Sequence, residues 1–267
     1  MAVNKNSNGY TFLFSILMVV IVGTALAYTS LSLKPLQKAN EADKKMVNIL
    51  GAIGVTASRD NAKEEFSKYV TERISVTFDG KEVNKTSGEI DANDKTDPFN
   101  INVKKDYRGI IGKIIKSTKR EPELQEEELM KADVTYPLYV CVKNDSTFYV
   151  APVVGTGLWG PIWGYVALMD DAETFYGATF DHKTETPGLG AEIREEFFTE
   201  KFAGKTLNND ADVVFEVKKS GSVTDEHSVD GITGGTITSK GVGEMLNRTL
   251  PVYVKYLEQT SNQKAQL

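Results

Sequence analysis

Ser228-Val229-Asp230-Gly231-Ile232-Thr233-Gly234-Gly235-Thr236-Ile237-Thr238-Ser239-Lys240-Gly241 combines an acidic residue, a glycine pair and a row of hydroxyls. From Ile237 to about Gln259, the apolar residues Val242, Met245, Leu246, Leu250, Tyr253, Val254 and Leu257 recur at steps of three or four. That is the spacing of one helix face. Thr236 therefore stands near a helix start, where orphan backbone N–H groups and the dipole favour an anion such as a phosphate. Two readings of the hydroxyls stay open: they cap the helix, or they line a phosphate site. The stretch is not a Walker loop, since no Gly-Lys-Ser/Thr closes a G-x-x-x-x pattern. Pro251 predicts a kink or a break, because it removes a backbone hydrogen bond. The polar tail after Thr260 is expected to fray.

Upstream, Tyr136–Lys143, Thr147–Val154, Trp163–Asp170 and Thr174–Asp181 are β-rich and separated by polar or glycine pairs. They read as an antiparallel meander, and with the helices they make an α+β fold. Between the second and third strands, Val153 to Tyr165 carries both tryptophans, Trp159 and Trp163, among glycines. Such a segment forms one wall of a pocket for a flat ring, or a strand turn with core aromatics. His182-Lys183-Thr184-Glu185-Thr186-Pro187-Gly188-Leu189-Gly190 follows, with Pro-Gly marking a turn. Ala191 to Phe202 reads as a short helix and Asp212 to Lys218 as a strand. His182 and Glu185 form a conceivable acid/base or metal pair. One histidine and one carboxylate make a poor metal site, however, and with only two histidines no Ser-His-Asp arrangement can be argued. No metal is expected.

The 267 residues suffice for one large domain or two small ones, and the formal charge of −6 argues against nucleic acid as a partner. The single cysteine, Cys141, excludes an internal disulfide framework and falls in a strand, as a buried thiol does. No charged residue occurs from Asn6 to Leu33. Tyr10 to Tyr28 is long enough to cross a ~30 Å hydrocarbon layer, with a tyrosine at each edge. A retained anchor is favoured over a cleaved signal peptide. The run exceeds an h-region of about 7–15 residues, although Lys5 and Ala25-Leu26-Ala27 resemble a signal. Leu36 to Val55 and Asn61 to Ile74 have helical spacing, and Ser75 to Phe78 reads as a strand. Glu82 to Pro98 is a polar surface excursion, and the acidic stretch Glu121–Glu128 a solvated loop or helix.

Three segments occur in fixed order: Gly157-Leu158-Trp159-Gly160, Glu185-Thr186-Pro187-Gly188-Leu189-Gly190, and Asp230 to Ser239. Together they resemble the family of FMN-binding domains that carry a covalently bound flavin. With the single N-terminal span, the chain is similar to the C-subunit family of Na+-translocating NADH:quinone reductases. Gly235 stands where alanine is usual in that family and Thr233 where serine is usual; both are small and compatible.

The resemblance implies that FMN is esterified through its phosphate to Thr236. A flavin transferase would install it from FAD with release of AMP. Asp230 becomes a recognition or turn residue, and Gly234 and Gly235 leave access to the backbone. Thr233, Thr238 and Ser239 become phosphate-binding hydroxyls. By the same token Leu158 and Trp159 lie by the isoalloxazine ring. Thr186, Gly188 and Leu189 form a loop whose backbone meets the ring's polar edge, and Glu185 orients that loop. The resemblance further implies other subunits of a membrane complex as partners, the bacterial inner membrane as location, and a periplasmic C-terminal domain. The expected division is a tail (1–9), a transmembrane helix (10–33), a helical stalk and extension (34–133), an FMN-binding domain (134–260) and a second tail (261–267). No Rossmann fingerprint offers an NADH site. The G-subunit family of Rnf ferredoxin:NAD+ electron-transport complexes is the nearest alternative, and residues 75–135 favour the quinone reductase. An anchored non-enzymatic binding domain and a soluble non-covalent flavin oxidoreductase complete the set.

Overall fold

The computed structural model describes residues 7–211, 213–223 and 225–265. Two compact units divide the chain, Met1–Lys45 and Met46–Leu267. The described part of the first is helical and belongs to α1 (Asn8–Ala52), which contains the expected span 10–33. By length and composition α1 is a candidate membrane span. Its apolar side chains, Phe12, Leu13, Ile16 and Val19 among them, are exposed, as suits a segment with lipid for a solvent. Lys5 and the first part of the tail 1–9 lie outside the described residues.

In the second unit a six-stranded antiparallel sheet carries the structure, in the order β2-β1-β3-β4-β5-β6. The expected meander is present as β3 (Tyr136–Lys143), β4 (Ser146–Thr156), β5 (Pro161–Leu168) and β6 (Phe175–His182). The β3–β4 connection is two residues, Asn144 and Asp145, both at positive φ. That geometry suits the right-handed twist of a hairpin. Cys141 is buried in β3.

Upstream of the meander the sequence reading needs correction. The helix expected over 61–74 ends at Tyr69 as α2 (Ala62–Tyr69), and β1 begins at Val70 rather than Ser75 (Val70–Val76). β1 is an interior strand, bonded to β2 on one side and β3 on the other. Pairing on both edges outweighs a helical spacing of apolar residues. Nor is Glu82 to Pro98 wholly an excursion: Glu82–Thr86 forms the edge strand β2. The loop beyond it is pinned from inside the protein. Arg73 is fully buried, and its guanidinium donates to both carboxylate oxygens of Asp97, at 2.9 and 2.7 Å, and to the carbonyl of Gly88 at 2.8 Å. Short helices α3 (Val103–Asp106) and α4 (Gly112–Ser117) flank a π-helical turn, Tyr107–Ile111. The acidic stretch is a helix, α5 (Pro122–Lys131).

After β6 the helix expected over 191–202 is three short turns, Gly190–Arg194, α6 (Glu196–Thr199) and Glu200–Phe202. They bury Ile193, Phe198 and Phe202. The strand expected over 212–218 is β7 (Glu216–Lys218), paired in parallel with β8 (Ser228–Asp230); Asp212 lies outside the described residues. The chain closes on α7 (Thr236–Ala265), which neither breaks at Pro251 nor frays at Thr260. A mid-helix proline costs roughly 3 kcal/mol. Burying one large apolar side chain returns roughly 1.5–3 kcal/mol, and Leu250, Val252, Tyr253, Val254, Tyr256 and Leu257 are all buried around it. Helix α7 is tied to β4 by Arg248, which donates to the Val154 carbonyl, and by the Tyr253 hydroxyl, which donates to that of Pro152. These bonds bring the α7 side of the molecule onto the strand that leads into the Trp159 turn.

Candidate functional site

The three sequence segments meet at one carboxylate. Glu185, only 4 % exposed, sits in the loop after β6. Its Oε1 accepts from the Trp159 N–H at 2.8 Å, and its Oε2 from the Leu158 N–H at 3.3 Å. Oε2 also accepts from the Thr238 hydroxyl at 2.6 Å. One side chain thus joins the β4–β5 turn, the Pro-Gly loop and the first turn of α7. Room for it depends on Gly190, where a Cβ would run into both Thr238 and Glu185. The turn itself is closed by Gly157 N–H to the Gly160 carbonyl at 2.8 Å and by Thr184 Oγ1 to the Trp159 carbonyl at 3.1 Å.

His182 and Glu185 do not form an acid/base or metal pair. The Nδ1 atom of His182 accepts the backbone N–H of Glu185 at 3.1 Å. The Glu185 carboxylate faces the other way, toward Trp159 and Thr238.

At the start of α7, Gly234 has φ +77°, a conformation in which any side chain is strained. The Gly235 N–H bonds the Ile232 carbonyl, and the Ser239 N–H bonds that of Gly235. Thr233 and Thr236 are exposed, whereas Thr238 and Ser239 are buried. Two expected phosphate-binding hydroxyls are therefore employed elsewhere. Thr238 donates to Glu185, and Ser239 Oγ accepts the Ile232 N–H at 2.9 Å. Such local bonds satisfy buried donors at a helix entry. Asp230 ends β8: its carboxylate accepts the Ser222 N–H at 3.0 Å and its carbonyl accepts from the Lys201 ammonium.

The loop Thr186–Leu189 is likewise bonded to itself more than expected. Gly188 N–H donates to the Glu192 carboxylate at 2.8 Å, and the N–H groups of Leu189 and Ala191 donate to the Thr186 carbonyl. All of Thr186 to Leu189 is exposed, and the loop's large apolar group is the Leu189 side chain, 42 % exposed, whose Cδ2 lies within reach of a Cβ at Gly234. Leu158 is 50 % exposed and Trp159 65 %. Apolar side chains left in water together on adjoining segments mark a surface for a ligand or a partner.

Beside Thr236 lies a hollow of about 210 Å³, bounded by Gly231 to Gly234, Ser239 and three lysines, Lys218, Lys219 and Lys240. Lys218 pairs with Asp225 at 2.5 Å and with Glu216 at 3.4 Å. The ammonium, together with the Ser228 hydroxyl, holds the Asp225 carboxyl down at about 2. Sequence reasoning missed all three lysines. One signal was available: Lys240 follows Thr236 by four residues, which places both on one helix face.

The site accordingly fits a cofactor with a flat apolar part and an anionic end. Leu158, Trp159 and Leu189 offer apolar surface; the lysine-lined hollow offers positive charge; Thr236, exposed, lines that hollow.

Comparison with known proteins agrees. Residues 157–251 match the model of the FMN-binding domain family. The C subunit of the Na(+)-translocating NADH-quinone reductase of Haemophilus ducreyi is 30% identical over 243 residues, covering 90% of this chain and 88% of that protein. The corresponding protein of Neisseria meningitidis serogroup A is 27% identical over 244 residues, covering 90% and 88%. The crystal structure of the corresponding protein of Parabacteroides distasonis superposes with a TM-score of 0.64 at 34% identity, covering 84% of this chain and 96% of that one. A Shewanella oneidensis structure, with a TM-score of 0.57 at 22% identity over 86% and 100% of the two chains, shares the fold. The chain belongs to the family of C subunits of the Na(+)-translocating NADH-quinone reductases.

Proposed function

We propose that the chain is the electron-transferring C subunit of such a reductase and carries FMN esterified through its phosphate to Thr236. The observation that carries the attachment point is the placement of Thr236. Its hydroxyl is accessible at the first residue of α7, beside the lysine-lined hollow, while Thr238 and Ser239 two and three residues on are buried and bonded. In this reading the flavin-bearing part spans 134–260.

FMN, once bound, supplies the redox chemistry, and the protein supplies placement and electrostatics. Trp159, Leu158 and Leu189, all exposed, are the apolar side chains that would hold the ring. Glu185 holds the Trp159 turn and α7 in fixed relation, so that the ring wall and the attachment point keep their spacing. Gly234, which is exposed, keeps the backbone bare where the phosphate and the transferase approach, whereas Gly235 is buried against Ile232 and Leu189 and lets the chain pack closely there. Thr233 is the second accessible hydroxyl. Loading uses a flavin transferase and FAD. The Thr236 oxygen forms a bond to the flavin-side phosphorus, the bond to the AMP phosphate breaks, AMP leaves with the electron pair, and the hydroxyl proton passes to solvent.

Within the complex this protein passes electrons one at a time between neighbouring carriers, on the route from NADH to a quinone that drives Na+ transport. Helix α1 spans the bacterial inner membrane and the flavin domain lies on the periplasmic side. Expression with and without a flavin transferase, followed by a denaturing gel viewed under ultraviolet light, tests the covalent claim. A fluorescent band is expected only with the transferase, and it disappears in Thr236→Ala. A dark wild-type band under loading conditions overturns it.

A further inference from the structure

The lysines around the hollow are unequal. Lys218 is neutralised by Asp225 and Glu216. Lys219 and Lys240 are exposed, and neither has a carboxylate partner among the described residues. Asp230, the acidic residue preceding the glycine entry, turns its carboxylate to the Ser222 N–H instead. Two lysines without a carboxylate partner among the described residues therefore line one concavity beside Thr236, in a chain whose formal charge is −6.

We propose that this hollow is an anion site for the flavin's phosphate, with Lys240 and Lys219 as its counter-charges. The inference rests on Thr236 as the attachment point and adds two residues that determine binding there. Lys240 is placed by helix geometry. Residues four apart have Cβ atoms about 5–6 Å from one another. Helical side chains also lean toward the N-terminus, so the Lys240 stem runs back over the turn that Thr236 begins. Lys219 lines the same hollow from the residue directly after β7. At about 210 Å³ the hollow far exceeds the roughly 10–15 Å³ that one water needs, which leaves room for a phosphate with part of its hydration. Its charge suits both forms of the ligand. The finished ester carries one negative charge, and the diphosphate of the donor FAD carries two, one for each lysine. Against the negative background, these groups also concentrate an anionic flavin at the site.

The test compares two flavins that differ only in the phosphate. Full-length Thr236→Val protein, which cannot form the ester, is titrated with FMN and with riboflavin at about 0.02 M and about 0.5 M salt. FMN is expected to bind more tightly. Lys240→Ala and Lys219→Ala should each cut that preference by about twofold to fivefold at low salt, with a smaller effect at high salt. Riboflavin affinity should stay unchanged, which also reports that the site remains folded. Lys255→Ala, on the far part of α7, should leave the preference intact. Equal affinity for the two flavins, or a preference unmoved in the double lysine variant, overturns the proposal. Where free flavin binds too weakly to titrate, the phosphorus NMR resonance of the transferase-loaded protein decides. The double variant should shift it toward the position of an isolated phosphodiester, and an unmoved resonance overturns the proposal. Failure of the underlying reading looks different: wild-type protein then takes up no covalent flavin at all.

Discussion

Replacing Glu185 by glutamine keeps the shape of the side chain and removes one acceptor. The carboxylate now serves three donors, the N–H groups of Trp159 and Leu158 and the hydroxyl of Thr238. An amide has one oxygen. Its least costly orientation keeps that oxygen on the 2.8 Å bond from Trp159 and turns the NH2 toward Thr238, whose hydroxyl can accept as well as donate. The Leu158 N–H, at 3.3 Å the longest of the three, is then left facing a donor. An unsatisfied buried donor costs about 1–3 kcal/mol, and exchanging a charged acceptor for a neutral one weakens each surviving bond by roughly 1 kcal/mol. Lower desolvation of the neutral amide offsets part of this, so Glu185→Gln should destabilise the protein by about 2–3 kcal/mol. Denaturant unfolding of the full chain in detergent gives that number. Amide exchange locates it: a loss of about 1.4 kcal/mol of local protection is a tenfold faster exchange, and the change should be centred on residues 157–160 and the first turn of α7. Thr238→Val, which removes one donor and keeps the carboxylate, should cost about 1 kcal/mol. If Glu185→Gln unfolds at the wild-type midpoint with unchanged exchange in the Trp159 turn, Glu185 is not the clamp and the site is held by something else.

Other consequences are as specific. Arg73→Ala should cost about 3–5 kcal/mol in the same unfolding experiment, because it strands the buried Asp97 carboxylate. Asp97→Asn should cost less, since the amide oxygen still accepts from the guanidinium. Asp225 has its carboxyl depressed to about 2 by Lys218 and Ser228. A depressed acid contributes stability above its unfolded value and loses it as pH falls through the folded one. The Asp225 contribution should therefore be complete above about pH 4 and fade toward pH 2. Asp225→Asn should flatten that limb of the stability curve, an effect that added salt diminishes because the pair is exposed. Burial pushes the Cys141 thiol up to about 12. Alkylation near pH 8 should be absent in the folded protein and complete after denaturation, as followed by mass.

Much of this was legible in the residues. β-rich runs broken by polar or glycine pairs identify β3 to β6, and the three-four spacing after Ile237 identifies the buried face of α7. What the sequence hides is non-local. Val70 to Ile74 looks helical from its apolar spacing until the partners on both edges of β1 are known. Arg73 and Asp97 are 24 residues apart, one in an expected helix and the other in an expected surface excursion, yet each completes the other inside the protein. In the site, the hydroxyls of Thr238 and Ser239 match a phosphate-binding pattern, but a carboxylate 53 residues earlier and a backbone N–H seven residues earlier claim them. Lys219 and Lys240 could not be paired in advance, because it is the packing of α7 beside β7 and β8 that brings their segments to one hollow.

The central claim concerns one oxygen atom, and intact-mass analysis with peptide mapping tests it most directly. After loading by a flavin transferase, the wild-type chain should gain the mass of FMN less one water, with the adduct on the peptide that contains Thr236, and Thr236→Ala should gain nothing. A wild-type chain of unchanged mass, or an adduct that persists in Thr236→Ala on Thr233 or another hydroxyl, contradicts the account.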